Sequence, residues 1–267
     1  MIHRSARVAL TIGSIIPALW LATRPALAQH SRVRITPEII RMGAFYGGAT
    51  VRVEGVTGLE EKIIVVVRGP NVKEVFNQAG RIGPIWANIG KVTISEVPSL
   101  LLVFSSIPVA YCLPRAVIDQ YGLDLVAVKK QMRIECKKAD YGQVAEDYLA
   151  YKGKQGSYQL VSGTFRMTAA DPGGPSYTSY TLDFALPRSA TPGLYQIRVL
   201  ECREGKIVAS SDVPLSVVEV GFPAMISWLA SQRSSYYGIL SVLVALFAGL
   251  GIDFVAARLF KRRIAGH

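Results

Sequence analysis

The chain has 267 residues, 50% of them apolar and only 18% charged, with a formal net charge of +11. Seven of the 30 basic residues sit at the two ends (Arg4, Arg7, Arg24, Arg258, Lys261, Arg262 and Arg263), which leaves 23 basic against 18 acidic residues in 29–235. That mild surplus, with no basic run interleaved with aromatics, excludes a nucleic-acid-binding surface, and the middle of the chain is long enough to bury one β domain or two small ones.

Residues 1–28 have the three parts of a secretory signal peptide. His3, Arg4 and Arg7 form a basic start, residues 8–22 are apolar, and Ala26 and Ala28 place small side chains before a cleavage point at Gln29. An uncleaved N-terminal membrane helix is the alternative, and the cleavage pattern speaks against it. Export puts Cys112, Cys136 and Cys202 in an oxidising compartment, where three thiols allow one intramolecular bridge by any of three pairings. The other reading is three small buried hydrophobes.

From residue 31 to 114 the pattern is β. Val51 and Val53 alternate with Arg52 and Glu54 over residues 50–55. Residues 62–68 contain the unbroken run IIVVV closed by Gly69-Pro70, which predicts an interior strand. Further strands are expected at 82–86, 90–94 and 100–104. Residues 114–151 change character. Pro114 suits a first helical turn, with Val117, Ile118 and Tyr121 on one face, and Val144, Tyr148 and Tyr151 repeat at helical spacing over 141–151.

The β pattern then returns. Tyr180, Leu182, Phe184 and Leu186 alternate with Thr181, Asp183 and Ala185; a turn at 187–193 leads to a strand at 194–200. Glu204-Gly205 marks the next turn, and 212–220 the closing strand. The expected fold is mainly β: an antiparallel immunoglobulin-like sandwich over 29–221 with a helical insertion at 114–151, plus one C-terminal transmembrane helix. The immunoglobulin-like label is architectural, since no Cys…Trp…Cys pattern accompanies it.

Residues 222–235 form an amphipathic juxtamembrane segment, with Ile226, Trp228 and Leu229 suited to the headgroup region and Tyr236 and Tyr237 to an aromatic belt. Residues 236–260 form the transmembrane helix, about 37 Å long at the helical rise and enough to cross a hydrocarbon core of about 30 Å. The basic tail 261–267 follows at once. By the positive-inside rule the C-terminus is cytoplasmic and the β domain lies in the periplasm, anchored to a bacterial inner membrane.

The segments FYGGATVRVEG (45–55), VVVRGP (65–70), GPIWAN (83–88), VPS (97–99) and SSIP (105–108) resemble an uncharacterised, mainly alphaproteobacterial family of single-pass membrane proteins. So do LP…TPGLYQIRV (186–199) and YGIL (237–240), while 141–175 matches more loosely. The resemblance implies one span, a periplasmic domain and no transferable activity. Some members lie beside sulfite- or taurine-exporter-like permeases, which implies a transporter-like membrane partner.

Histidine decides the enzyme question. Between the signal peptide and the anchor there is only His30, so a Ser-His-Asp triad, a Cys-His pair or a histidine-rich metal site has no base or ligand. GKQGS (153–157) lacks the spacing of a phosphate loop, and Glu60-Glu61 and Glu146-Asp147 are adjacent residues whose side chains diverge. No cofactor or metal is expected, and no enzyme.

Two groups remain as candidate partner contacts. Arg68, Trp86 and Asn88 would present an anion- or partner-binding surface. The plainer alternative makes Trp86 a core plug, Asn88 a turn former and Arg68 a solvated strand end. In the anchor, Ser241, Ala245, Gly249 and Asp253 recur every four residues, a face of small side chains ending in a carboxylate. It suits a second copy of the chain or a polytopic partner, unless Asp253 simply sits among cytoplasmic headgroups beside Arg258. The expected function is therefore a non-enzymatic, membrane-anchored binding or accessory module docking another envelope or transporter protein, with a periplasmic small-ligand or ion sensor or carrier as the alternative.

Overall fold

The computed structural model describes residues 33–136, 140–169 and 177–264. The expected signal peptide, His30 and His267 lie outside the described residues, as do the side chains of Trp86 and of the basic residues 261–263. The chain is mostly β, with three sheets, helices between them, and one long C-terminal helix.

Period-two alternation builds the first sheet. In β3 (Ala49–Gly58) Val51, Val53 and Thr57 are buried while Thr50, Arg52 and Val56 face out. It pairs antiparallel with β1 (Arg34–Thr36) and along its whole length with β11 (Tyr177–Leu186), which in turn pairs with β10 (Arg166–Ala169).

The second sheet has six strands in the order β2 (Ile39–Met42), β13 (Lys206–Glu219), β12 (Gly193–Arg203), β4 (Lys62–Arg68), β7 (Leu101–Ser105) and β9 (Tyr158–Ser162). It is not purely antiparallel. Both edge strands run parallel to their neighbours, β2 to β13 and β9 to β7. Parallel pairing needs a long crossover, and the helical segment between β7 and β9 supplies one.

The third sheet is a long hairpin, β5 (Asn71–Ile82) and β6 (Ile85–Pro98), with β8 (Arg133–Cys136) on its outer edge. Gly83, at φ 60°, takes the left-handed turn between the arms. The two short strands expected at 82–86 and 90–94 are thus pieces of this hairpin, whose first arm the sequence does not announce.

The helical insertion is wider than 114–151 and more divided. It comprises α1 (Val109–Cys112), α2 (Arg115–Tyr121), α3 (Leu125–Gln131) and α4 (Tyr141–Lys154), with β8 between α3 and α4. Gly122, at φ 65°, ends α2 in a left-handed cap, and Leu123 N–H reaches back to Ile118 O at 3.1 Å. Two residues on, Asp124 caps α3 by accepting from Ala127 N–H at 2.8 Å.

Two cores result. Val51, Val53, Tyr180, Leu182 and Phe184 of the first sheet share one cluster with Ile63, Val65, Val67, Tyr195 and Ile197 of the second. On the opposite face of the second sheet, Ile64, Val66, Leu101, Val103 and Leu200 pack against Val92, Ile94, Ile118, Leu123, Val128 and Tyr148 of the hairpin and helices. The run IIVVV is apolar throughout because β4 is covered on both faces. Each of those five side chains contributes about 2 kcal/mol relative to exposure.

After β13 come α5 (Phe222–Gln232) and α6 (Ser234–Ile264). Phe222, Met225 and Trp228 stand exposed along α5, and the membrane-length part of α6, Ser234–Arg258, has a mean hydropathy of 2.4 and none of it is buried.

Candidate functional site

Strand pleating brings one polar row together. The odd residues of β4 and β12 face the first core, so Arg68, Gln196 and Arg198 all face the other way. Gln196 is the register partner of both Arg68 and Pro214, and Arg198 that of Asp212. The helical layer covers this sheet face further along, over Ile64, Val66 and Leu200, and stops at Arg68. At that margin lies a cleft of about 420 Å³, lined by Arg68, Gln196 and Asp212 with Leu194, Val213 and Pro214.

Arg68 is half-buried there. One of its terminal nitrogens donates to Gln131 Oε1 at the end of α3, at 3.1 Å, and Gly122 comes close enough that a Cβ would lie 3.5 Å from the other. Among the described residues no carboxylate is within ion-pair distance of it. Burial, with a smaller contribution from Arg198, holds the Arg68 guanidinium below its ordinary pKa. Arg198 is held differently. Its Nε and Nη2 bond to the two oxygens of Asp212 at 2.7 and 3.1 Å, which raises its pKa.

The floor beside Arg68 is tight. Gly69 donates its N–H to Leu100 O at 2.9 Å, and a Cβ on it would come 2.3 Å from Ser99 Oγ and 2.9 Å from the Tyr195 ring. Glycine lets the strand pass there before Pro70 turns it into the hairpin.

Trp86 and Asn88 do not join Arg68. The hairpin register pairs Pro98 with Asn71 next to Arg68 but Asn88 with Ala79 and Trp86 with Arg81, roughly ten residues or about 30 Å further out. Asn88 Oδ1 accepts from Gly90 N–H at 3.1 Å, an Asx turn at the point where the register slips. The Trp86 side chain lies outside the described residues.

In α6 the residues Ser241, Ala245, Gly249 and Asp253 follow an i+4 ridge of the exposed helix. Among the described residues nothing lies within 4 Å of a Cβ at Gly249, and the Ser241 hydroxyl donates to Tyr237 O at 2.8 Å.

A second polar cluster closes the end of the first core. Thr57 and Glu201, both almost fully buried, meet Glu61 from the β3–β4 turn. Thr57 Oγ1 is 3.1 Å from Glu61 Oε2 and 3.3 Å from Glu201 Oε2. Glu61 therefore meets, at the Thr57 hydroxyl, a carboxylate 140 positions away (Glu201) and not its neighbour Glu60. Sequence spacing gave no sign of it, nor of Arg198, Asp212 and Gln131 around Arg68. Among the described residues no group of three or more His, Cys, Asp or Glu side chains is arranged to hold a metal ion.

A mostly β domain followed by one exposed helix of membrane-crossing length defines a membrane-associated protein. More particularly, residues 32–258 match the family described as "Putative transmembrane protein" (Alph_Pro_TM), and the chain belongs to it. No curated protein and no solved structure matches the chain.

Proposed function

We propose that this protein is a non-enzymatic, membrane-anchored accessory module that docks another envelope protein of transporter type through its anchor. The observation that carries this reading is the α6 ridge. Ser241, Ala245 and Gly249 are small, Gly249 has open space beside it, and Asp253 places a carboxylate at the end of the same ridge. Small residues let a second helix approach to backbone distance, and a carboxylate near membrane depth is stabilised by a partner's donor. Self-association through the same ridge is the other occupant.

Residues 1–28 act as a cleaved export signal, and the two facing sheets form an immunoglobulin-like sandwich in the periplasm. The basic tail stays in the cytoplasm, so the anchor sits in the inner membrane with its C-terminus inside. Phe222, Met225 and Trp228 of α5 then rest against the outer headgroups.

Cross-linking of the full chain in native membranes tests the docking. Gly249→Leu and Asp253→Leu should each lower the yield of the adduct; unchanged adducts with both would overturn the reading. Adducts containing only this chain would point to self-association. A reporter active only in the cytoplasm, fused after His267, should be active.

A further inference from the structure

The Arg68 cleft supports an inference that stands apart from the docking reading, because it rests on the β domain and not on the anchor. Arg68 offers five N–H donors, and among the described residues it has one hydrogen-bond acceptor, Gln131 Oε1. A guanidinium taken half out of water without a carboxylate loses hydration that, among the described residues, Gln131 alone replaces in part. Arg198, the neighbouring cation, is already closed on both oxygens of Asp212. Arg68, Arg198 and Asp212 together leave the cleft with one positive charge in excess. Its other walls include the side chains of Leu194 and Pro214, and its volume of about 420 Å³ is that of a small-molecule site.

We propose that this cleft binds a small organic monocarboxylate, with its two oxygens on the Arg68 fork and its apolar body against Leu194 and Pro214. A planar carboxylate matches the guanidinium fork in a way that a tetrahedral ion does not. A single negative charge answers the single excess positive charge. A phosphate dianion would meet Asp212 with a charge left uncompensated. The cleft opens at the edge of the helical layer, so a ligand enters without displacing an element of the fold.

Calorimetric titration of the detergent-solubilised full chain at low salt, with acetate, butyrate, benzoate and inorganic phosphate as probes, tests this. Butyrate and benzoate should bind more tightly than acetate, and phosphate most weakly. Arg68→Met should abolish the titratable binding, and Arg68→Lys, which keeps the charge but loses the fork, should weaken it by about tenfold. Asp212→Asn removes the opposing charge and should tighten it several-fold. The proposal is overturned if no carboxylate binds the wild-type chain at about 10 mM, if phosphate binds as tightly as benzoate, or if Arg68→Met binds unchanged. Should Arg68→Met fail to fold, Asp212→Asn decides: unchanged or weaker binding of benzoate overturns the proposal.

Discussion

Lys152 Nζ lies 2.6 Å from Glu74 Oε1, so the only ion pair joining α4 to the hairpin, among the described residues, is made by a lysine that is 5% exposed. The Tyr148 ring lies beside the same ammonium, 5.5 Å from centroid to Nζ. The pair is asymmetric, because the Glu74 side chain keeps 25% of its surface in water. Glu74→Gln strands a buried cation and should destabilise by about 3 kcal/mol, at the low end for breaking a buried pair. Lys152→Met leaves a carboxylate that can turn to solvent and should cost less, and the double variant should recover most of the loss. Urea unfolding midpoints of the full chain in detergent, compared as a double-mutant cycle, check the order.

The backbone crossing under the cleft makes a second prediction. A Cβ at Gly69 would meet Ser99 Oγ at 2.3 Å, the Tyr195 ring at 2.9 Å and Leu100 N at 3.1 Å. Gly69→Ala should therefore lose about 2–3 kcal/mol, as overpacked core sites do. Ser99 Oγ is buried and, among the described residues, has no hydrogen-bond partner, so Ser99→Ala alone should be close to neutral. Combined, the two changes should recover part of the loss, because the shortest contact is with that hydroxyl. Thermal unfolding of the three variants decides it.

Cys112 and Cys202 lie in the same apolar cluster, and no disulfide links Cys112, Cys136 or Cys202. Burial, aided by the neighbouring Cys112 and Glu201, pushes the Cys202 thiol up to about 12, and burial also raises Cys112. Since the thiolate is the reactive form, both should resist iodoacetamide at pH 8 in the folded chain and react after denaturation. Mass spectrometry of labelled peptides should show this, and reductant should leave the melting temperature unchanged.

What the sequence made legible follows from how local each signal is. The run at 63–67 declares a strand covered on both faces, and Val51–Val53 and Tyr180–Leu186 declare strands covered on one. The first hairpin arm, NVKEVFNQAGRI, does not declare itself. Its residues Lys73, Glu74, Asn77 and Gln78 have low β propensity, and only pairing with β6 and packing on α4 make it a strand. α3 was missed because Leu125, Val126 and Val128 read equally well as strand, although Asp124 at its start and Lys129 and Lys130 at its end are helix-terminus signals. Arg68 was legible as a strand end, either solvated or part of an anion- or partner-binding surface. Its setting was not, because Gln131, Gln196, Arg198 and Asp212 reach it through three other elements and leave no pattern at any fixed spacing.

The carboxylate at Glu61 predicts how the domain responds to acid. Burial alone would raise its pKa, but the hydrogen bond shared with Glu201 and those donated by the Gly58 N–H at 3.0 Å and the Thr57 hydroxyl outweigh burial, and the net shift is downward. A carboxylate depressed in the folded state binds fewer protons there than in the unfolded chain. Its contribution is complete above the ordinary glutamate value of about 4.3 and is lost as pH falls through the lower folded value. The group is only partly buried, so the slope it adds is shallow. Glu61→Gln should flatten the acid limb of a stability–pH curve below about pH 4.3 and leave the slope near pH 7 unchanged. Thermal midpoints of wild type and variant, taken in detergent from neutral pH down to about pH 3, measure it. A variant that loses stability equally at every pH would mean that the hydrogen bonds to Thr57 and Gly58 matter without the charge. An acid limb identical to wild type would remove Glu61 from the acid response altogether.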